Sequence, residues 1–215
     1  MTFDRGKIQI SGAALRRMPG YLLYLKSRRG EGEQYISSTV MANDLKQNPV
    51  QIRKDLSVVS NRPGKPKLGF EISALIEDLE EFLGYNGMRK AVVVGAGGLG
   101  KTLLSYEGFE AYGLKLVAGF DVREEVIGKS YGGKPVFGLD RLNAIVEDMD
   151  VSIGVITVPK SSAQEVADLM VQSGIKAIWN FAPTLITIPE GIEVKNENLA
   201  ASLALLSKRL EETRS

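Results

Sequence analysis

Residues 11–27 read SGAALRRMPGYLLYLKS, with Leu15, Met18, Leu22 and Leu25 at spacings of three, four and three. That period puts the four on one face of a helix. Pro19 and Gly20 interrupt the run, so a kink or a late restart is expected there. RRGEGE (28–33) is a polar turn, after which Ser37 or Ser38 caps a short helix through Val40, Met41 and Leu45. Beyond KQN, Asn48 stands as N-cap with Pro49 at the first helical position, a strong helix start. This next helix carries VQIRKDLSVV, with Val50, Ile52, Leu56 and Val59 as its expected buried members. The stretch NRPGKPKLGF (61–70) is rich in Gly, Pro and basic residues. Short helix, turn, second helix and basic hairpin outline a winged helix-turn-helix.

LIEDLEEFLG (75–84) predicts one more helix, and YNGMR reads as a linker. From Lys90 onward, apolar strands alternate with amphipathic helices. AVVVGAG, LKLVAGFD, VSIGVITVP and IKAIWNF are the strands, with a shorter PVFG between the second and third. LGKTLLSYEGFEAYG, DRLNAIVEDMD and SSAQEVADLMVQSG are the helices, and a last one is expected from Leu199 to Thr213. This alternation means a parallel sheet covered on both faces. The expected architecture is an all-α, winged-helix head at 1–84 and an α/β Rossmann-type doubly wound sheet at 85–196. A terminal helix occupies 197–215.

The bulk composition narrows the function. The chain of 215 residues contains neither Cys nor His. Disulfides, thiolate metal sites and Cys nucleophiles are excluded, and the commonest general base and metal ligand is missing. The expectation is therefore a protein with no catalytic site and no metal. No run of apolar residues is long enough for a membrane helix, and the charged start lacks a leader's apolar region, so a cytoplasmic protein is expected. Residues 1–70 carry 13 Lys/Arg against 5 Asp/Glu, while the remainder carries 14 against 21, so a head of +8 sits on a body of −7. That division suits a head that meets a polyanion.

Residues 95–102, GAGGLGKT, satisfy two phosphate-binding rules. As G-x-G-x-x-G, the segment Gly95, Ala96, Gly97, Gly98, Leu99 and Gly100 is a dinucleotide fingerprint. As G-x-x-x-x-G-K-[ST], with Lys101 and Thr102, it is the cradle of a nucleotide hydrolase. Context favours the first. The motif follows an apolar strand, and Asp121 lies 21 positions beyond Gly100, directly after the next strand. There a carboxylate accepts the ribose hydroxyls and repels a 2′-phosphate, which tilts the site to NAD(H) over NADP. The hydrolase needs a further acid for Mg²⁺, and the later strands end in Thr157-Val158-Pro159 and Asn180-Phe181. Asp121 can itself pose as that acid, so the hydrolase stays open, as does a glycine turn without ligand.

In the helix after Asn48, the polar members are Gln51, Arg53, Lys54 and Ser57. Arg pairs with guanine and Gln with adenine in the major groove, whereas Lys and Ser suit phosphates. Lys65 and Lys67 on the hairpin would touch the DNA backbone or the minor groove.

With these residues on the page, the chain resembles the redox-sensing transcriptional repressor Rex family over nearly its whole length. QIRKDLS (51–57), GAGGLG (95–100), GFDV (119–122), ITVP (156–159), AIWNFAP (177–183) and VKNENLAASLALLS (194–207) carry the resemblance. It implies a bacterial homodimer that binds palindromic double-stranded operators through winged helices and senses the NADH/NAD⁺ ratio, NADH releasing the DNA. It also implies a terminal helix exchanged between subunits, and Leu199, Leu203, Leu206 and Leu210 form a stripe suited to such docking. By the same resemblance, the glycines and Asp121 bind the adenosine half of the cofactor. Thr157, Val158, Pro159, Asn180, Phe181, Ala182 and Pro183 approach the nicotinamide side, and Tyr106 matches a Tyr near the cofactor. Two features depart from the pattern. Some members carry an Arg in the first helix and an Asp opening the terminal helix as a charge switch; Leu23 and Asn198 occupy those positions here and cannot pair. The wing is one residue longer than usual, with Pro63 and Pro66 where glycines are common. The rival from another class is an NAD-dependent oxidoreductase with an incidental basic N-terminus, for which only Lys160 or Tyr106 offers a proton donor.

Overall fold

The computed structural model describes residues 2–5, 8–62 and 64–212. The chain divides between Gly87 and Met88 into two compact units.

The first unit opens with a hairpin of β1 (Thr2–Arg5) and β2 (Ile8–Ser11). Helix α1 (Gly12–Gly30) follows, with the Ser11 side chain accepting from the Ala14 N–H as its cap. Helix α1 continues through Pro19 without the late restart. The helix buries Met18, Tyr21, Leu22 and Leu25, and that packing outweighs the one backbone bond Pro cannot make. Strand β3 (Tyr35–Ile36) and helix α2 (Ser38–Leu45) come next, the latter capped by Ser37. Lys46 in the left-handed region (φ 51°) ends α2 and starts the turn to α3 (Pro49–Val59). Asn48 Oδ1 accepts from the N–H of Val50 and of Gln51, so the predicted cap is in place. Ile52, Leu56 and Val59 are buried as expected, but Val50 is 56% exposed. It stands in the first turn, on the outward face with Arg53 and Lys54.

The wing closes through an antiparallel bridge of Lys65 with Gly69, then β4 (Phe70–Glu71) pairs with β3. Gly69 at φ +86° cannot be replaced, because a Cβ there meets the Ile36 carbonyl oxygen at 2.2 Å. Pro63 lies outside the described residues. Helix α4 (Ile72–Leu83) completes the unit, starting earlier than expected and stopping at Gly84.

One polar cluster crosses this core. Asp55 is buried; its Oδ2 accepts from Arg17 Nε at 2.8 Å and Tyr21 Oη at 3.0 Å, and its Oδ1 accepts from Arg17 Nη2 and Gln51 Nε2. The cluster ties α3 to α1. Burial raises the Asp55 carboxyl, but the bonds from Arg17, Gln51 and Tyr21 outweigh it and hold the group below its ordinary value.

The second unit is a doubly wound α/β layer. Its elements are β5 (Arg89–Val94), α5 (Gly98–Ser105), β6 (Leu114–Asp121), β7 (Ser130–Tyr131), β8 (Lys134–Gly138), α6 (Leu142–Asp148), β9 (Val151–Ile156), α7 (Ala163–Gln172), β10 (Ala177–Asn180), β11 (Glu193–Asn196) and α8 (Leu199–Glu212). The sheet order is β11-β10-β9-β5-β6-β8-β7, parallel throughout except for the β7–β8 edge hairpin. Counting the parallel strands along the chain, this is the 3-2-1-4-5-6 order of the dinucleotide-binding Rossmann fold. Separate apolar clusters pack its two faces, around Phe120, Ile156 and Ile178 on one and around Val93, Leu104 and Val155 on the other. Helix α5 is shorter than the pattern implied. Tyr106 leaves the helical region (ψ 123°), and a separate turn at Glu110–Tyr112 follows. Thr213, the expected end of α8, lies outside the described residues.

Asp55→Ala is expected to destabilise the first unit by about 2 kcal/mol, since Arg17, Gln51 and Tyr21 lose their shared buried acceptor, while Tyr21 keeps Gln47 and Arg17 keeps partial access to water. Because the native carboxyl is depressed, its contribution is full above the ordinary value of 3.8 and lost as pH falls below it. Urea unfolding from pH 7 to pH 3, wild type against Asp55→Ala, measures both; equal slopes with pH for the two proteins would contradict the assignment.

Candidate dinucleotide cleft and reading helix

Strands β5 and β9 are neighbours whose onward connections run in opposite directions across the sheet, which leaves a crevice outside their carboxyl ends. A cleft of about 600 Å³ occupies that place. Among the expected residues, Gly95, Gly97, Asp121, Thr157, Val158 and Pro159 line it, joined by Val122, Arg123, Leu139, Ser162 and Glu165.

The glycine turn is built for close approach. Gly95 has φ +103°, and a Cβ there meets the Thr157 carbonyl carbon at 2.8 Å. A Cβ on Gly100 falls 1.9 Å from the Gly95 oxygen, so helix α5 packs against the turn only as glycine. Gly97 and Gly98 face open space, which leaves the first turn of α5 uncovered by side chains. Such a helix start presents unpaired N–H groups and a positive dipole end to an anion. Ala96 is buried beneath the turn and Leu99 is partly exposed on α5. Lys101 and Thr102 do not line the cleft. Lys101 Nζ lies 5.0 Å from the Tyr131 ring centre, and the Thr102 hydroxyl donates to the Gly98 carbonyl. The hydrolase reading thus lacks its phosphate-facing pair.

Asp121 ends β6, buried. Its Oδ2 accepts from the Ala96 N–H at 2.7 Å, and its Oδ1 accepts from the Arg123 N–H at 2.9 Å. The Arg123 guanidinium adds Nε to Oδ1 at 3.0 Å and Nη2 to Oδ2 at 2.9 Å, and also donates to the Ala96 carbonyl at 3.1 Å. Burial raises the Asp121 carboxyl, yet the Arg123 side chain and the two backbone donors bring it below its ordinary value. Arg123 was not a sequence candidate; its only signal is a cation two positions after the strand-end acid.

The Thr157 hydroxyl reaches the Gly95 carbonyl at 2.7 Å, lacing β9 to the glycine turn. Asn180 is fully buried; it donates to the Thr184 carbonyl and to Asn196 Oδ1 and accepts from the Ala182 N–H. It therefore shapes the NFAP loop from inside. Phe181 packs on Trp179 at 4.4 Å between ring centres, Ala182 is buried and Pro183 is exposed. These four residues stand beyond the cleft lining, as does Tyr106, which is 56% exposed and edge-on to Phe109. Trp179 Nε1 donates to Glu197 at 3.0 Å, a contact the sequence pattern did not single out. Asn198 caps α8 through Ala201, and Leu199, Leu203, Leu205 and Leu206 are each more than half exposed along that helix.

In the first unit, Arg53, Lys54 and Ser57 share the exposed face of α3 with Val50. Gln51 is exposed at its base while its amide is engaged by Asp55, and the Ser57 hydroxyl donates to the Lys54 carbonyl. Lys65 and Lys67 are exposed on the wing, with Lys65 Nζ donating to Tyr35 Oη at 2.7 Å.

A winged helix with an outward basic reading face, joined in one chain to a doubly wound unit with a glycine-and-aspartate cleft, defines a class: DNA-binding regulators that answer to a dinucleotide. A family of putative DNA-binding protein N-termini matches residues 9–57, and a CoA-binding-domain family matches residues 86–184. The redox-sensing transcriptional repressor Rex of Treponema denticola is 43% identical over 90% of this chain and 91% of its own. That of Bacteroides thetaiotaomicron is 44% identical over 91% and 89%. The crystal structure of RSP, a Rex-family repressor, in complex with β-NAD⁺ and operator DNA superposes with a TM-score of 0.88 at 31% identity, covering 97% of this chain and 95% of that one. RSP with β-NADH gives 0.83 at 30% over 97% of each. The chain belongs to the Rex family of redox-sensing transcriptional repressors, regulators and not enzymes.

Gly100→Ala is expected to force the turn away from α5 and to lower dinucleotide affinity at least about tenfold, a cost of ~1.4 kcal/mol, leaving the first unit folded. Isothermal titration with NADH alongside circular dichroism tests this, and an unchanged affinity would contradict the packing described.

Proposed function

We propose that this chain is an operator-binding repressor whose hold on DNA is set by NADH, and that it works as a homodimer in the cytoplasm. The observation that carries the reading is the Gly95–Asp121 cradle at the switch point, in the same chain as an outward basic reading helix. Gly97, Gly98 and the start of α5 would hold the pyrophosphate, and Asp121 the adenosine ribose. Thr157, Val158 and Pro159 would border the nicotinamide, with Asn180 keeping Phe181, Ala182 and Pro183 in place behind them. The cofactor brings a ring whose charge and shape differ between its oxidised and reduced forms; this chain's residues bind and discriminate those forms.

On the DNA side, Arg53 would read a base edge, with Gln51 able to join once released from Asp55, and exposed Val50 offers an apolar contact to a thymine methyl. Lys54, Ser57, Lys65 and Lys67 would hold phosphates. The leucine face of α8 supports a second copy as the helix's partner. A two-fold dimer reads palindromic half-sites about one helical turn, or a multiple of it, apart. The mechanism is linkage. A ligand that favours the DNA-incompetent dimer lowers DNA affinity, and DNA lowers ligand affinity by the same factor, typically ~1–3 kcal/mol.

Operator binding titrated with NADH and with NAD⁺ at fixed salt should show weaker binding with NADH; equal affinity in both sinks the sensor. Arg53→Ala should weaken operator binding by ~1–3 kcal/mol while leaving NADH affinity intact. Asp121→Ala should do the reverse. Leu203→Asp with Leu206→Asp should give a folded monomer by light scattering; a persistent dimer would exclude α8 as the interface.

A further inference from the structure

The pairing of Asp121 with Arg123 changes what the adenosine end of the cleft accepts. A strand-end carboxylate selects a ribose with a free 2′-hydroxyl, whereas an Arg nearby accommodates a 2′-phosphate. This chain carries both groups two positions apart, and both line the cleft. The guanidinium meets the carboxylate through two donors, at 3.0 and 2.9 Å, so a cation already stands where a strand-end acid by itself would repel a phosphate. Arg123 is 46% exposed, so its side chain can turn outward from Asp121. Asp121 does not depend on it alone, because the N–H groups of Ala96 and Arg123 remain on the carboxylate. Glu125, 3.7 Å from Arg123 Nη1, opposes an anion at the same place, and Glu165 lines the same cleft, so the guanidinium is the cation that must offset them.

We propose that Arg123 is a specificity-determining residue that admits a 2′-phosphorylated dinucleotide, NADPH, to the same cleft as NADH. The inference rests on the NAD(H) reading above. The planar fork of Arg binds a phosphate through two parallel hydrogen bonds, which a neutral side chain cannot match. On binding, the guanidinium would exchange Asp121 for the 2′-phosphate, a ribose hydroxyl taking a carboxylate oxygen that Arg123 leaves while the Ala96 and Arg123 N–H groups stay on it.

The test is direct titration of the full-length protein with NADH and with NADPH, read by the fluorescence of the reduced nicotinamide, at two salt concentrations. In wild type both should bind. In Arg123→Gln, which keeps a donor for Asp121, the ratio of NADPH to NADH dissociation constants should widen at least about fivefold, chiefly through weaker NADPH binding. Arg123→Lys should fall between, retaining the charge without the fork. NADPH binding should weaken with salt in wild type more steeply than in Arg123→Gln. A ratio that moves less than this in Arg123→Gln, with NADH still bound, overturns the role of Arg123 alone. A wild type that binds neither dinucleotide overturns the NAD(H) reading beneath it.

Discussion

The Asp121 carboxylate is the point on which the second unit's cleft depends. It ends β6 and holds the N–H of Ala96, two residues past β5, so two adjacent parallel strands are joined beyond their last ladder bond. The Gly95 N–H adds a bond to the Phe120 carbonyl from the other side of the same turn. Across the switch point, the Thr157 hydroxyl and the Gly95 carbonyl join β9 to this pair. Three strand ends are therefore laced through one glycine at positive φ. A buried carboxylate is costly unless fully bonded. Here its bonds are also the ones that hold the turn open toward α5, so fold stability and ligand geometry rest on the same atoms.

This explains which parts were legible in the sequence. Gly95, Gly100 and Asp121 are spaced by the geometry of one strand-turn-helix-strand unit, and that spacing is periodic and local. The winged helix was legible for the same reason: Asn48 and Pro49 mark a helix start whatever packs around it. Arg123 was not legible, because a cation two residues past an acid is common on any surface. Only the buried position of Asp121 makes the pair meaningful. Val50 was misread because apolarity gives no direction in a helix's first turn, where the face toward the core is set by Ile52 and Leu56 further on. No restart occurs at Pro19 because burial of Met18, Tyr21 and Leu22 around it overrides a local penalty. The hairpins β1–β2 and β7–β8 and the short strand β11 were missed, being too brief for an alternation to register; the second turns on Gly132 and Gly133, both at positive φ.

The terminal helix presents a different constraint. Leu23 and Asn198 carry no charge, so a salt bridge between those positions is unavailable to this chain. What the structure supplies at the root of α8 is short-ranged hydrogen bonding beside one ion pair, Lys195 Nζ to Glu197 at 3.7 Å. Asn180 bonds Asn196 from β10 to β11, Trp179 bonds Glu197, and Asn198 caps the helix that follows. Asn180 also sets the NFAP loop through Ala182, and Trp179 packs against the tilted ring of Phe181. Two successive residues of β10 therefore hold the NFAP loop and, through other atoms of the same side chains, the root of α8.

Such a connection transmits differently from a charge switch. An ion pair acts over several ångströms and is screened by salt, whereas hydrogen bonds and ring packing act only at contact and are nearly indifferent to it. The direction of Trp179 Nε1 toward Glu197 is lost with a small rotation of the ring, and the ring is held by Phe181, so displacement of Phe181 is felt at Glu197 without any change of net charge. Contact-range coupling of this kind is stiff because packed side chains have discrete arrangements and not a continuum of them. A chain that has Asn at position 198 keeps the helix cap and gives up the charge, and the side chains of β10 offer a route between the NFAP loop and α8 within the subunit.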